Sequence, residues 1–212
     1  AGPAGALAST VPCAAGCGVL VKNRDSRPLK LEGIPGHPVS RGGLCAVGQA
    51  SVLGLYDDHR LKAPLAAGKP CSWETLDAEV MRELDGIVRK GGSVRVLART
   101  SAGPTLKAAL EKFLRRFRDG RLVVYDPLSC SALLDAHDAA FGSRALPRLH
   151  FERAEVIAGF DADFLGTWIS PVEYAAGYRA GRTLDGRPAR LSRPLHFEPR
   201  MSLTGSNADE RI

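Results

Sequence analysis

The sequence contains no run of about 18 apolar residues, so it offers no segment that would cross a membrane as a helix. It has no Walker A loop, no GxGxxG fingerprint, no HExxH and no GxSxG elbow. Those absences remove the usual signatures of nucleotide, dinucleotide, zinc-protease and serine-hydrolase sites. Aromatic residues make up only 6%, and the five cysteines are odd in number and too few for a disulfide scaffold in 212 residues. The first 21 residues carry no charge, but they lack a basic start and a continuous apolar run. Gly2, Pro3, Gly5, Pro12, Gly16 and Gly18 would break a helix there, so the stretch reads as a loop and not as a signal peptide.

What is present is ordinary for a globular chain: 44% hydrophobic and 25% charged residues. A chain of this length buries roughly 70% of its unfolded surface, so it needs no metal as a structural staple. The start without Met and the end at Ile212 suggest a processed chain or an excised piece of a longer one. Twenty-nine Lys and Arg against 23 Asp and Glu give +6, concentrated in two windows. Lys107 to Arg121 holds six basic residues against Glu111 and Asp119, and Arg179 to Arg200 holds six Arg against Asp185 and Glu198. Solvated helix faces are the commoner meaning of such windows. A zinc-binding nucleic-acid module would rest on this charge and three cysteines alone, so nucleic acid is not the expected partner.

Along the chain, Val19 to Val21 and Leu29 to Leu31 flank the polar turn Asn23-Arg24-Asp25-Ser26, which predicts a β-hairpin over 18–33. A Gly/Pro-rich loop carries the chain to Cys45, and 46–55 fits a short helix. From about residue 72, helices over 75–90, 104–117, 129–141 and 171–179 alternate with strands over 94–98, 122–125, 155–160 and 195–197. The expected fold is α/β, a doubly wound and mainly parallel sheet with a small loop-rich N-terminal subdomain. The composition places the boundary between 1–64 and 65–212, the second part being an incomplete Rossmann-like domain.

The sharpest local signal is Cys13-Ala-Ala-Gly-Cys17 with Cys45 in Gly42-Gly43-Leu44-Cys45. Iron–sulfur clusters need several thiolates converging with backbone amides turned to the sulfurs, and the surrounding glycines permit such backbone. Zinc held by three thiolates and a histidine such as His37 is the rival, and no metal at all is the third reading. Cys71 and Cys130 read as unreactive thiols at or in helices. His37, His59, His137, His150 and His196 are scattered. Asp161 and Asp163 follow a strand at its carboxyl end and form an acid/base candidate, although turn and cap roles are more frequent there. Trp168 reads as packing.

Taken together, Cys13-Ala-Ala-Gly-Cys17-Gly18, Gly33-Ile-Pro-Gly-His37-Pro38-Val-Ser-Arg41-Gly42-Gly43-Leu-Cys45-Ala-Val-Gly48-Gln49 and Gly54-Leu-Tyr56-Asp57 resemble the N-terminal iron–sulfur segment of the molybdopterin oxidoreductase family. The segment from Ala154 to Tyr174 and the ending Met201-Ser-Leu-Thr-Gly205-Ser-Asn207-Ala-Asp-Glu-Arg211 resemble, more particularly, the large iron–sulfur subunits of alternative complex III. The resemblance implies Cys13, Cys17 and Cys45 as cluster ligands, for a 4Fe-4S or 3Fe-4S cluster that the isolated fragment need not retain. It departs from the family at Thr10, where a further cysteine ligand is usual, and at Val47, where Lys or Arg is common. Molybdopterin belongs to the relatives and is not carried across, and no catalytic residue is assigned. The implied setting is a bacterial membrane-associated respiratory complex, on its periplasmic side, with other redox subunits as partners. The alternative is a degenerate, cluster-free scaffold domain of such a complex.

Overall fold

The computed structural model describes the backbone of residues 5–10 and both backbone and side chains of residues 16–101, 103–184 and 191–212. The chain opens with strand β1 (Gly5–Thr10), then β2 (Gly18–Arg24), β3 (Arg27–Gly33) and helix α1 (Ala46–Ala50), which continues as a 3-10 turn over Ser51–Leu55. Next come the short strands β4 (Leu65–Ala66) and β5 (Lys69–Pro70), helix α2 (Trp73–Arg89), β6 (Ser93–Ala98), α3 (Pro104–Leu114) and β7 (Asp119–Val124). The remainder is α4 (Ser131–Phe141), a 3-10 turn at Phe151–Arg153, β8 (Val156–Phe160), α5 (Pro171–Ala180), β9 (Arg193–Phe197), α6 (Leu203–Ser206) and β10 (Glu210–Arg211). Helices and parallel strands alternate as an α/β chain should. The parallel strands form two separate small sheets, β6-β7 and β10-β9-β8, beside the antiparallel sheets β1-β2-β3 and β4-β5.

The chain divides into two units, Ala1–Val52 with Ser129–Ile212, and Leu53–Leu128. In the first, β1 pairs with β2 from Gly5 opposite Asn23 to Thr10 opposite Gly18. That strand corrects the loop expected there: residues 5–10 are small and uncharged, and a neighbouring strand supplies the backbone partners that the sequence alone does not reveal. The hairpin β2-β3 turns through Asp25 and Ser26, both at positive φ (49° and 63°). Two successive left-handed residues match the right-handed twist of the flanking strands.

The core of this unit lies around β8 and α5. Alternation along β8 buries Ile157 and Gly159. Phe151 stacks on Phe164 at 4.4 Å between ring centroids and meets Tyr174 edge-on at 5.1 Å. Each such side chain contributes about 1.5–3 kcal/mol on full burial. Burial also raises the Tyr174 hydroxyl above its ordinary pKa. The ending of the chain is held by two carboxylates. Asp163 Oδ1 accepts from the Thr204 amide (3.0 Å) and hydroxyl (2.9 Å), while Glu198 Oε1 accepts from Ser202 N (2.9 Å) and Arg211 Nε (2.8 Å). The other oxygen of Glu198 lies 3.2 Å from His196 Nε2, and both side chains are 1% exposed. Burial by itself pushes the Glu198 carboxyl up; the hydrogen bonds from Ser202 and Arg211 and the nearby His196 outweigh it and bring it to about 2.

In the second unit β6 and β7 pair in parallel, Val94 opposite Gly120 through Ala98 opposite Val124. Ser72 caps α2 by accepting from Thr75 N at 3.2 Å, and Pro104 opens α3. The deepest apolar side chains here are Leu114 and Phe117. Half of the first basic window is paired within the unit: Arg115 with Glu111, Arg116 with Asp85 and Arg121 with Asp119.

Candidate cysteine site

Cys13 lies outside the described residues. Cys17 is 2% exposed and stands immediately before β2. Cys45 is exposed and is the N-cap of α1, its sulfur accepting the Gly48 N–H at 3.4 Å. An amide hydrogen bond to sulfur is the kind of contact that surrounds iron–sulfur thiolates. At Cys45 that contact is one a cluster thiolate would use. Among the described residues, no three His, Cys, Asp or Glu side chains converge as a metal site.

A strap of backbone hydrogen bonds runs between the segments that carry Cys17 and Cys45. Ile34 N donates to Gly18 O (3.1 Å), and Gly42 N donates back to Ile34 O (3.0 Å), so residues 34–43 fold over the end of the hairpin. Arg41 N donates to His37 O (3.0 Å) and Gly43 N to Ser40 O (2.6 Å). Two glycines make this possible by close approach. A Cβ on Gly33 would meet the backbone carbonyls of Gly42 and Gly43, and a Cβ on Gly18 would lie 2.6 Å from His37 Cδ2.

His37 organises the turn. Its Nδ1 accepts from both Val39 N (3.3 Å) and Ser40 N (3.2 Å). With Nδ1 accepting, the neutral ring carries its proton on Nε2. Coordination of a metal through Nε2 would require the opposite tautomer, with an Nδ1–H pointed at two amide hydrogens. His37 thus does not suit the histidine place in a Cys3His zinc site. Beyond the turn, Gly43 packs on Val172 of α5, and Arg41 approaches Glu173 at 3.9 Å. Glu173 also accepts from Arg148 Nε at 2.8 Å. The strap that carries Cys45 is therefore fastened to a helix of the later sequence.

The other candidates are structural. Asp163 spends its carboxylate on Thr204, and its carbonyl accepts from the amides of Gly166, Thr167 and Trp168. Asp161 is a turn residue at φ 49° whose N–H donates to Phe197 O at 2.8 Å. Trp168 packs near Tyr174, with centroids 6.1 Å apart. Cys130 stands at the N-cap position of α4, without a side-chain capping hydrogen bond, instead of lying within the helix, which begins only at Ser131, and both it and Cys71 are half-buried. Val47 is 79% exposed. The anchoring role of Arg41 and Glu173 has no local sequence signature, since the two residues meet only through the tertiary fold.

Residues 12–57 match the molybdopterin oxidoreductase Fe4S4 domain. Over 204 residues the chain is 26% identical to the menaquinone reductase molybdopterin-binding-like subunit of Nitratidesulfovibrio vulgaris, covering 93% of this chain and 28% of that protein. It is likewise 26% identical over 211 residues to a nitrate reductase of Shewanella frigidimarina, covering 93% of this chain and 22% of the relative. These similarities support the molybdopterin oxidoreductase family. The formate dehydrogenase-O major subunit of Escherichia coli is 30% identical over 107 residues, 44% of this chain and 10% of that protein. The chain thus spans about a quarter of the length of the menaquinone reductase subunit and of the nitrate reductase, each of which aligns with nearly all of it.

Proposed function

We propose that the chain is part of an iron–sulfur, molybdopterin-oxidoreductase-like subunit of a membrane-associated respiratory complex, of the kind found in alternative complex III. In this reading Cys13, Cys17 and Cys45 hold a cluster of the 4Fe-4S or 3Fe-4S type, and other redox subunits of the complex, on the periplasmic side, are its electron-transfer partners. A bound cluster would supply one-electron transfer. The chain's own part is to hold the thiols, shield Cys17 from solvent and turn amides such as that of Gly48 toward sulfur. Residues 1–64 would be the cluster segment and 65–212 the beginning of the α/β part. No residue is assigned to molybdopterin and none to catalysis. The observation that carries the reading is the strap: one hydrogen-bonded loop, fixed at Gly18 and at α5, presents Cys45 from the same unit that holds Cys17.

The test is anaerobic purification, reconstitution with iron and sulfide, and measurement of iron content and electron paramagnetic resonance beside a Cys17→Ser variant. Iron in stoichiometric amount, lost in the variant, is the expected result. A second reading, a cluster-free scaffold, is favoured by Thr10 and by the exposed Val47, which remove two features usual in the family. A folded chain that never retains iron would leave this second reading in front.

A further inference from the structure

We infer that His37 is the positioning residue of the cysteine site, acting through its Nδ1 as the shared acceptor for the Val39 and Ser40 amides. The inference deepens the cluster reading and rests on it for the metal-bound state. Four observations converge. Nδ1 takes two successive backbone N–H groups, which closes the 37–40 turn. The ring lies against Gly18, the residue after Cys17, so closely that only glycine leaves room for it. The carbonyl of His37 accepts from Arg41 N, and that of Ser40 from Gly43 N, so the closed turn passes its geometry on to the residues that lead into Cys45. Ser40 is completely buried, and among the described residues its hydroxyl has no hydrogen-bond partner. The turn is therefore held by the imidazole and not by the serine side chain.

One imidazole thus touches the backbone beside Cys17 and controls the turn that delivers Cys45. Opening the turn would leave two amides at a half-buried position without their acceptor and would free both cysteine segments at once. The nitrogen involved decides which replacement can work. Asparagine places its Oδ1 where Nδ1 stands and can accept from both amides; glutamine places its oxygen at the reach of Nε2 and cannot.

The test compares His37→Asn, His37→Gln and His37→Ala with the parent chain, each checked for folding by circular dichroism. After anaerobic reconstitution, His37→Asn is expected to keep the parent's iron content, resonance spectrum and midpoint potential, whereas His37→Gln and His37→Ala lose most of the iron or shift the potential. In the metal-free chain, the alkylation rate of Cys17, followed by peptide mass spectrometry, is expected to rise about tenfold in the Gln and Ala variants through local opening and to stay unchanged in the Asn variant. A parent chain that binds no iron would count against the cluster reading alone, and the alkylation series would still decide the role of His37. Equal alkylation rates in the Asn and Gln variants, or iron, potential and Cys17 protection unchanged in the Ala variant, would overturn the inference. If His37→Ala does not fold, the Asn and Gln pair decides.

Discussion

In the unit formed by Ala1–Val52 and Ser129–Ile212, Phe164 and Tyr174 are 2% exposed, whereas in Leu53–Leu128 the deepest apolar side chains, Phe117 and Leu114, remain 6% and 8% exposed. Both units contain parallel strands and amphipathic helices. They differ in what lies against those elements. Around β8 an aromatic cluster and two carboxylate clasps cover one side of the strand, leaving Val156 and Phe160 exposed on the other; β6 has no buried residue, and Leu97, Val123 and Val124 of β6 and β7 face solvent. Helix α2 makes the point most clearly. Its stripe of Leu76, Val80, Leu84, Ile87 and Val88 has the right period, yet no residue of the helix is buried, and Val80 and Val88 are exposed. Amphipathicity specifies that an element forms and which way it turns, while depth is set by the partners available to cover it.

That contrast can be broken most forcefully at Phe164. Phe164→Ala should cost about 3–5 kcal/mol by leaving a cavity beneath Phe151 and Tyr178. The check is the denaturation midpoint, and a loss below about 1 kcal/mol would mean that the first unit is no better packed than the second. Gly33→Ala comes next, at about 1–3 kcal/mol, because the added methyl meets the carbonyls of Gly42 and Gly43 and backbone must move. The same substitution should loosen the cysteine strap, visible as faster hydrogen exchange at Ile34 and Gly42.

The pH dependence of the first unit follows from Glu198. Its carboxyl is lowered from the ordinary 4.5 to about 2, so its contribution to stability is fully present above pH 4.5 and is lost as the pH falls through about 2. Glu198→Gln should abolish that acid limb while leaving the pH response of the second unit unchanged; an unaltered acid limb would show that another group is responsible. At the small end, Leu97→Ser on the exposed face of β6, where Leu97 is 71% exposed, should shift stability by no more than about 0.5 kcal/mol. A larger loss would mean that this face is covered in solution.

Much of the element pattern is written locally. The β2-β3 hairpin is legible because polar turn residues interrupt two alternating runs, and α3 because Pro104 opens a sequence of helical period. Cys17 and Cys45 stand out through the glycines around them. What is not legible is what depends on distant partners. Strand β1 consists of small residues that pair only because β2 is beside them, and α6 and β10 are short pieces held by Asp163 and Glu198. The division of the parallel strands into two sheets is likewise a matter of which strands meet, which a single alternating pattern leaves open. The capping role of Cys45 has no sequence signal, because thiols are uncommon in a place usually taken by Ser, Thr, Asp or Asn. His37 is visible in the sequence as a possible ligand, but its role depends on which ring nitrogen the backbone occupies, and that is decided by the turn.

The fastening of the cysteine strap to α5 also sets an order of events during synthesis. Val172 and Glu173, against which Gly43 and Arg41 rest, leave the ribosome 127 and 128 residues after Cys45. At about 5–20 residues per second, the thiols wait roughly 6–30 seconds before their final surroundings exist. During that interval the fold does not yet hold them in place, so under the proposed cluster reading delivery of iron and sulfide follows the synthesis of α5.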